Sequence, residues 1–306
     1  MEFGRMGIRF RKNRFMLGLA MPMILFVLVF SYVPMFGAIV AFKRYKFNEG
    51  ILGSEWIGMT NFKFLFQTPD LWRIVRNTLG YNALFIALDL VFSVLVALLL
   101  FELTSRKWLK LYQTVMFFPY FLSWVVVAYM VYAFLNPRSG MLNQLFEWFG
   151  WPSINWYTEP GPWTAIFPIA NLWKQIGFSA IIYYAGLVGI DQSYFEAARI
   201  DGAGRWRIMT KISLPFLYPV ISILTILAVG HIFEADFGLF YQLPMNSPVL
   251  LPTTDVIDTF IYRTLTQMGN IGVSAAVGLV KSVVGLAMVV AVNLLVRRMN
   301  PDNALF

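Results

Sequence analysis

Cysteine is absent from the 306-residue chain, and His231 is its only histidine. A disulfide framework, a thiol nucleophile and a cysteine-based metal site are therefore excluded, and histidine-dependent catalytic triads nearly so. Charged residues are also scarce, at 13% of the chain, whereas soluble domains carry about 25%. The phosphate-binding loop G-x-x-x-x-G-K-[ST] does not occur, so nothing in the chain indicates ATP binding. Together with 58% hydrophobic residues, these absences indicate a membrane protein.

Long apolar runs are what the chain has in abundance. At about 1.5 Å per helical residue, each run is long enough to cross ~30 Å of hydrocarbon. The predicted spans are residues 16–42, 77–101, 111–135, 163–190, 215–233 and 272–296. The first follows a basic tail, residues 1–15, and is too long for a signal peptide, so it is a retained span. The predicted fold is all-α and polytopic, with one transmembrane domain over 16–306.

The distribution of basic residues predicts the orientation. Six spans place both termini on one side, where 14 of the Lys and Arg residues lie, against eight on the other side. Basic residues favour the cytosolic side, so both termini are predicted to be cytosolic and residues 148–163 external. The formal charge of +8 is spread between apolar runs rather than over one soluble face, so no nucleic-acid partner is expected.

A polar stretch between the fourth and fifth spans is the main interruption of the apolar C-terminal half. Ser193 and Glu196 have the spacing of a capping box, which predicts the start of a helix. Gly202 is a residue that commonly ends a helix. A second short helix is predicted over residues 205–212, and Pro215 is a favoured first residue of the next span.

The residues of this stretch have a specific spacing. Glu196-Ala197-Ala198, Asp201-Gly202-Ala203 and Ile212-x-Leu214-Pro215 resemble the EAA loop of ABC importer permeases. In that family the loop forms coupling helices that dock into a groove on an ATPase subunit. The resemblance implies the type I importer permease fold with a cytosolic coupling loop over residues 191–214. It assigns ATPase coupling to Glu196, Ala197, Ala198, Asp201, Gly202, Ala203, Ile212, Leu214 and Pro215.

The resemblance extends along nearly the whole chain. Trp56-Ile57-Gly58-x-x-Asn61-Phe62, Phe118-Pro119-Tyr120-Phe121 and Asp255-Val256-Ile257-Asp258-Thr259 are similar to stretches of oligosaccharide permeases, in the polysaccharide-fragment branch named after a lipoprotein transport operon. This implies oligosaccharide import by alternating access in the plasma membrane of a bacterium. It also implies a second, non-identical permease, two copies of a cytosolic ATPase and an extracellular solute-binding protein. ATP and Mg would bind to the ATPase, and this chain itself would hold no cofactor.

Polar side chains within the spans are the candidates for a transport pathway. A charged residue at the centre of a membrane costs about 2.5–3.5 kcal/mol on insertion scales, and it usually faces a bundle interior or an aqueous cavity. Asp89, Lys174 and Lys281 are either such residues or members of structural ion pairs. His231, Glu234 and Asp236, near the end of span five, could equally be interfacial. Sugar sites combine placed polar groups with apolar and aromatic surface. The candidate pathway residues are Tyr120, Trp124, Asn171, Trp173, Lys174, Tyr183, Tyr184, His231 and Glu234.

Two other classes of protein remain open at this point. An integral membrane transferase would need clustered carboxylates or histidines at the membrane surface, and Asp255 with Asp258 is the only such pair in a loop. A proton- or ion-coupled secondary transporter is favoured if the intramembrane charges titrate during transport.

Overall fold

The computed structural model describes residues 14–299, and almost all regular structure in this range is helical. The α-helices are α1 Arg14–Val27, α2 Val33–Met35, α3 Gly50–Gly53, α4 Thr60–Gln67, α5 Leu71–Phe101, α6 Arg106–Phe117, α7 Trp124–Leu135, α8 Met141–Trp148, α9 Trp163–Val188, α10 Gln192–Ile200, α11 Arg205–Ile208, α12 Leu214–Gly230, α13 Phe237–Gln242, α14 Leu251–Thr254, α15 Ile257–Thr266 and α16 Ile271–Met299. Short π turns cover Leu28–Tyr32 and Met209–Ser213, and 3-10 turns cover Phe36–Phe42, Phe118–Phe121 and Pro248–Leu250. The predicted all-α class is confirmed apart from one ribbon, in which β1 Lys43–Arg44 pairs antiparallel with β2 Glu55–Trp56. The predicted basic tail, residues 1–15, lies almost entirely outside the described residues.

Within residues 14–299, five helical stretches are long and apolar enough to cross a membrane. They are Gly18–Phe42, Leu71–Phe101, Trp163–Val188, Arg205–Gly230 and Ile271–Arg298. A sixth candidate is a bent pair, Arg106–Phe121 with Trp124–Leu135, whose two arms meet at 98°. The predicted third span, 111–135, therefore corresponds to a broken helix pair that begins at Arg106. The second span begins at Leu71 instead of 77, and the fifth begins at Arg205 instead of 215.

The break in the third candidate span has a local cause. Pro119 lies in the 3-10 turn, and its ring leaves no backbone N–H for the helical ladder. Leu122 then adopts an extended backbone, with ψ 133°. Ser123 is also extended, and its Oγ accepts a hydrogen bond from the Val126 N–H at 3.3 Å. A serine in this position caps a new helix, so the family-like Phe118–Phe121 stretch is a bend and not the interior of a span.

The chain packs as two compact units, where the sequence predicts a single domain. Within the described residues the first unit comprises residues 14–68 and Thr264–Leu279. Asn61 fixes the end of its first span, because the Asn61 Nδ2 donates to the carbonyls of Ala41 at 2.8 Å and Lys43 at 3.0 Å. A Cβ at Gly272 would lie 2.6 Å from the same amide nitrogen, so the α16 backbone passes directly against it.

The second unit comprises Pro69–Arg263 and residues 280–299 among those described, and it has two apolar clusters. The larger contains Trp163 and Phe167 of α9 with Tyr81 of α5, all buried. The Trp163 Nε1 also donates to the Trp156 carbonyl at 2.6 Å, which ties the tryptophan-rich loop before α9 to this core. The second cluster joins α5, α9 and α12 to Phe195 of α10.

Buried ion pairs hold the loop after α14 in the second unit. The Asp255 carboxylate is fully buried and accepts two hydrogen bonds from Arg263, at 2.9 and 2.7 Å. Arg73 of α5 donates to the same carboxylate at 3.2 Å. Asp258 pairs with Lys281 at 2.5 Å, which confirms the structural ion pair for that lysine. Both carboxylates proposed for a transferase site are therefore neutralised by structural partners.

Candidate coupling segment and transport cavity

The coupling segment, residues 191–214, begins at Asp191 and not at the predicted capping box. The Asp191 Oδ1 accepts a hydrogen bond from the Ser193 N–H at 2.9 Å, which satisfies one of the unpaired donors at the start of α10. This hydrogen bond from the Ser193 backbone lowers the pKa of the Asp191 carboxyl. The predicted Ser193–Glu196 capping box is wrong. Glu196 is exposed on α10, and Asp191 is the residue that accepts a hydrogen bond from a backbone N–H at the start of this helix.

Gly202 ends α10 in the way the sequence predicts. Its φ is +77°, in the left-handed region that glycine adopts without a Cβ penalty. The Ala203 N–H donates to the Ala198 carbonyl at 2.9 Å, and the Gly202 N–H donates to the Arg199 carbonyl at 3.1 Å. This pair of bonds is a Schellman motif, which satisfies carbonyls left free at the end of a helix. The turn is therefore fixed by backbone conformation, because a Cβ at Gly202 would meet no atom within 4 Å.

The second half of the segment is continuous with the next span. α11 passes into the π turn Met209–Ser213 and then into α12 without leaving helical backbone. A proline in a regular helix clashes with the carbonyl four residues earlier and leaves it without a donor. The wider π turn just before Pro215 accommodates the ring, as π bulges do inside helices. The predicted second helix therefore runs into Pro215, but it is continuous with the next span and is not a separate helix.

The coupling residues divide into an exposed set and a packed set. Glu196, Ala197, Asp201 and Gly202 are exposed. Ala198, Ala203, Ile212 and Leu214 pack against the apolar cluster that contains Phe195. Beside the exposed set, Ile200 and Trp206 have 86% and 71% of their surface exposed. The exposed side of α10, its C-terminal turn and the start of α11 is therefore the candidate docking surface.

A cavity of about 380 Å³ lies in the second unit between α5, α9, α12 and the 231–236 segment. Of the predicted pathway residues, Asn171, Tyr183 and Glu234 line it. The sequence analysis missed Gln175 and Ser179, which also line it. These two follow Asn171 at intervals of four residues, the spacing that puts side chains on one face of a helix, so the signal was present.

Three other predicted residues form one cluster beside the cavity. The Lys174 Nζ donates to the Tyr120 carbonyl at 2.7 Å and lies 5.4 and 5.3 Å from the ring centroids of Tyr120 and Trp124. The Trp124 Nε1 donates to the Asp236 Oδ2 at 2.6 Å, and Asp236 lines the cavity. Among residues 14–299 no carboxylate lies within 4.0 Å of Lys174, so the ion-pair alternative for Lys174 is wrong.

Asp89 and the charges after α12 have different partners. Asp89 accepts a hydrogen bond from the Ser93 hydroxyl at 3.0 Å, and it makes no ion pair within the part of the chain that the structure describes. The ion-pair alternative is therefore wrong for Asp89 too. The His231 Nδ1 lies 2.9 Å from the Glu234 Oε2, so these two residues share a face as their spacing predicts.

Two predicted pathway residues lie away from the cavity. Trp173 lines an apolar groove with Val127 of α7 and Ile166 of α9. Tyr184 lines a separate cavity of about 540 Å³ next to the coupling segment, together with Arg205. The structure does not bring these two aromatic residues together with Asn171, and their contact with a substrate stays a prediction.

These features define a class of protein: a polytopic helical membrane protein with a polar cavity between its spans and a short helical docking segment. Residues 89–301 match the model of the family described as "Binding-protein-dependent transport system inner membrane component". The chain belongs to this family, whose members are transport components rather than enzymes, and it is an inner membrane permease subunit of an ABC importer.

Similar proteins include a transport permease and chains of a solved ABC transporter. The chain is 34% identical over 298 residues to the polygalacturonan/rhamnogalacturonan transport system permease protein YteP of Bacillus subtilis (strain 168), covering 97% of this chain and 92% of the relative. It matches a solved bacterial ABC transporter involved in the import of the acidic polysaccharide alginate, with a TM-score of 0.88, 33% identity and coverage of 97% and 99% of the two chains. A second structure, of the alginate transporter in complex with alginate pentasaccharide-bound periplasmic protein, matches with a TM-score of 0.87, 32% identity and coverage of 96% and 98%. The type I permease fold is thus confirmed.

Proposed function

We propose that this chain imports oligosaccharides released from polysaccharides, as one of two non-identical permease subunits. Two copies of a cytosolic ATPase, which bind ATP and Mg, would drive the cycle, and an extracellular binding protein would deliver the sugar. The saccharide transport systems to which the permease relative and the alginate transporter belong support a saccharide substrate. The complex with a saccharide-loaded periplasmic protein supports the binding-protein partner.

The coupling segment is the observation that carries this proposal. Its exposed residues sit on a helix held at one end by Asp191 and at the other by the Gly202 turn. Beyond the turn, the backbone continues as helix through α11 into α12, which lines the cavity. A displacement of the docked ATPase would therefore be transmitted along continuous helix to the cavity wall, and the spans would alternate between outward- and inward-open states.

The orientation follows from the same proposal. The coupling segment must meet a cytosolic ATPase, so both termini lie in the cytosol and the tryptophan-rich loop lies outside. The chain has no native cysteine, so a single cysteine at Ser153 can be labelled selectively. We expect labelling by a membrane-impermeant reagent from the external face, and labelling only from the cytosolic face would contradict the orientation.

A test of coupling compares two glycines. Gly202→Val places a branched side chain at φ +77°, where the backbone cannot stay without strain. We expect it to abolish the turn that ends α10 and to lower co-purification of the ATPase and sugar-stimulated ATP hydrolysis severalfold in the reconstituted importer. Ala198→Asp, which brings a charge to the packed side of the same helix, should act in the same direction.

The chain offers a matched control. Gly150 also has a positive φ, +72°, and equally open surroundings, but it follows α8, far along the chain from the coupling segment. Gly150→Val introduces comparable strain and should leave ATPase docking unchanged. If Gly202→Val and Ala198→Asp docked and stimulated the ATPase like the parent, the segment would be an ordinary connector and the proposed function would lose its support.

A further inference from the structure

The charged groups that line the cavity are all acidic. Asp89, Glu234 and Asp236 contribute carboxylates to the described part of the lining, and no lysine or arginine in that part does so. Two basic side chains adjoin these carboxylates without lining the cavity: His231, whose Nδ1 lies 2.9 Å from the Glu234 Oε2, and Lys174. The Lys174 ammonium donates to the Tyr120 carbonyl and lies over two aromatic rings, so it offsets the field of Asp236 without lining the cavity.

The cavity also contains an amide that points to a ligand. Asn171 has only 9% of its surface exposed, lines the cavity, and makes no hydrogen bond to any residue within 14–299. Buried amides in proteins are normally hydrogen-bonded. An unpaired amide aimed into a cavity therefore matches a partner that enters from outside. Gln175 continues this polar face one turn further along α9.

The remaining groups are fixed in place. The Asn82 Nδ2 donates to the carbonyls of Ile232 and Glu234, at 2.7 and 3.2 Å, which anchors the loop that carries two of the carboxylates. The Trp124 indole and the Leu239 N–H hold Asp236, at 2.6 and 3.2 Å. The Asp236 carboxylate is therefore held rigidly. Together with the other carboxylates and the amides it matches sugar hydroxyls, because a hydroxyl donates to a carboxylate and both donates to and accepts from an amide.

We infer that this cavity admits oligosaccharides that carry no acidic group and rejects uronate fragments. The inference rests on the proposed function and narrows its substrate class. The alginate importer that the chain resembles handles an acidic polysaccharide. Here a uronate carboxylate would enter beside fixed carboxylates without a lining cation, and like charges brought together in a partly dehydrated site oppose binding. The hydroxyls of an uncharged sugar meet no such opposition.

The test measures saccharide binding directly, without the binding protein's own selectivity. The complete importer in nanodiscs is titrated with maltotetraose, tetragalacturonate and a glucosamine tetramer, and binding is followed by tryptophan fluorescence and calorimetry. The parent is compared with a variant that carries Asp89→Asn and Glu234→Gln. Asp70→Asn, which removes a carboxylate that does not line the cavity, is the control for net charge.

We expect maltotetraose to bind at least about tenfold more tightly than tetragalacturonate, and this gap to shrink severalfold in the double variant but not in the control, because like-charge repulsion is removed only there. Equal affinity for the uronate in the parent would overturn the inference, and so would weaker binding of the cationic glucosamine tetramer than of tetragalacturonate, because lining carboxylates attract an ammonium group. If no tetrasaccharide bound and the importer took up none, the proposed function itself would be overturned.

Discussion

Two carboxylates of the second unit, Asp255 and Asp89, differ in their hydrogen-bond and ion-pair partners. Asp255 is fully buried and receives hydrogen bonds from Arg263 and Arg73. Asp89 lies in the middle of α5, faces the cavity and receives a serine hydroxyl. One carboxylate therefore has its charge cancelled by permanent partners, whereas the other keeps acceptor capacity toward an open space.

The difference separates structural charge from functional charge. Removing one member of a buried, paired group leaves the other charge unpaired, and this destabilises a protein. Removing a charge that has no charged partner leaves nothing behind. A mutation of Asp255 should consequently affect stability more than transport. A mutation of Asp89 should affect transport more than stability.

The largest effect is expected at Asp255. Asp255→Ala would leave two arginines without their shared carboxylate, and breaking a buried pair costs about 3–5 kcal/mol. The measurement is the free energy of unfolding of the detergent-purified subunit in a denaturant titration. Asp70→Ala is the control, since Asp70 pairs with the same Arg73 but is 43% exposed, and exposed pairs contribute about 0–1 kcal/mol. Equal losses in both variants would contradict the distinction.

An intermediate effect is expected at the Lys281–Asp258 pair. Its side chains are 18% and 19% exposed, so solvent screens it more than Asp255, and Lys281→Met should cost about 2 kcal/mol. Combining it with Asp258→Asn should recover most of this loss, because no charge is then left unpaired. A double variant as unstable as the sum of the two single variants would show that the pair is not coupled.

The smallest effect on stability is expected at Asp89. An asparagine can still accept the Ser93 hydrogen bond, so Asp89→Asn should change the free energy of unfolding by less than about 1 kcal/mol. Saccharide binding should change instead, since the residue lines the cavity. A loss of stability comparable to that of Asp255→Ala would show that Asp89 has a structural charged partner after all.

The sequence predicts the helices and the turn of residues 191–214 well because their signal is contiguous. The spacing from Glu196 to Pro215 identifies the segment, and Gly202 identifies the turn. The sequence-based prediction fails where two local structures are both compatible with the residues. Asp191 takes the cap that Ser193 could have provided, and a π turn lets the helix continue to Pro215.

The cavity is predicted less well because its residues come from four separate parts of the chain. Asn171 and Glu234 were identified as polar residues in apolar surroundings, but aromatic residues of the same spans could not be sorted. Trp173 and Tyr183 lie on one helix, yet only Tyr183 lines the cavity. The packing of the helices decides which face of a span lines the cavity. A span that is apolar on all sides carries no sequence pattern that identifies this face.

The bend at Pro119 has a consequence for how the chain enters the membrane. α6 and α7 each have 12 residues, about 18 Å of helix, so neither arm alone crosses ~30 Å of hydrocarbon. At the bend, the Tyr120 carbonyl is satisfied by Lys174, which lies 54 residues later in the chain. A ribosome synthesises the bend before it synthesises its partner. We therefore expect the bend to gain this hydrogen bond only after α9 has been made and inserted beside it.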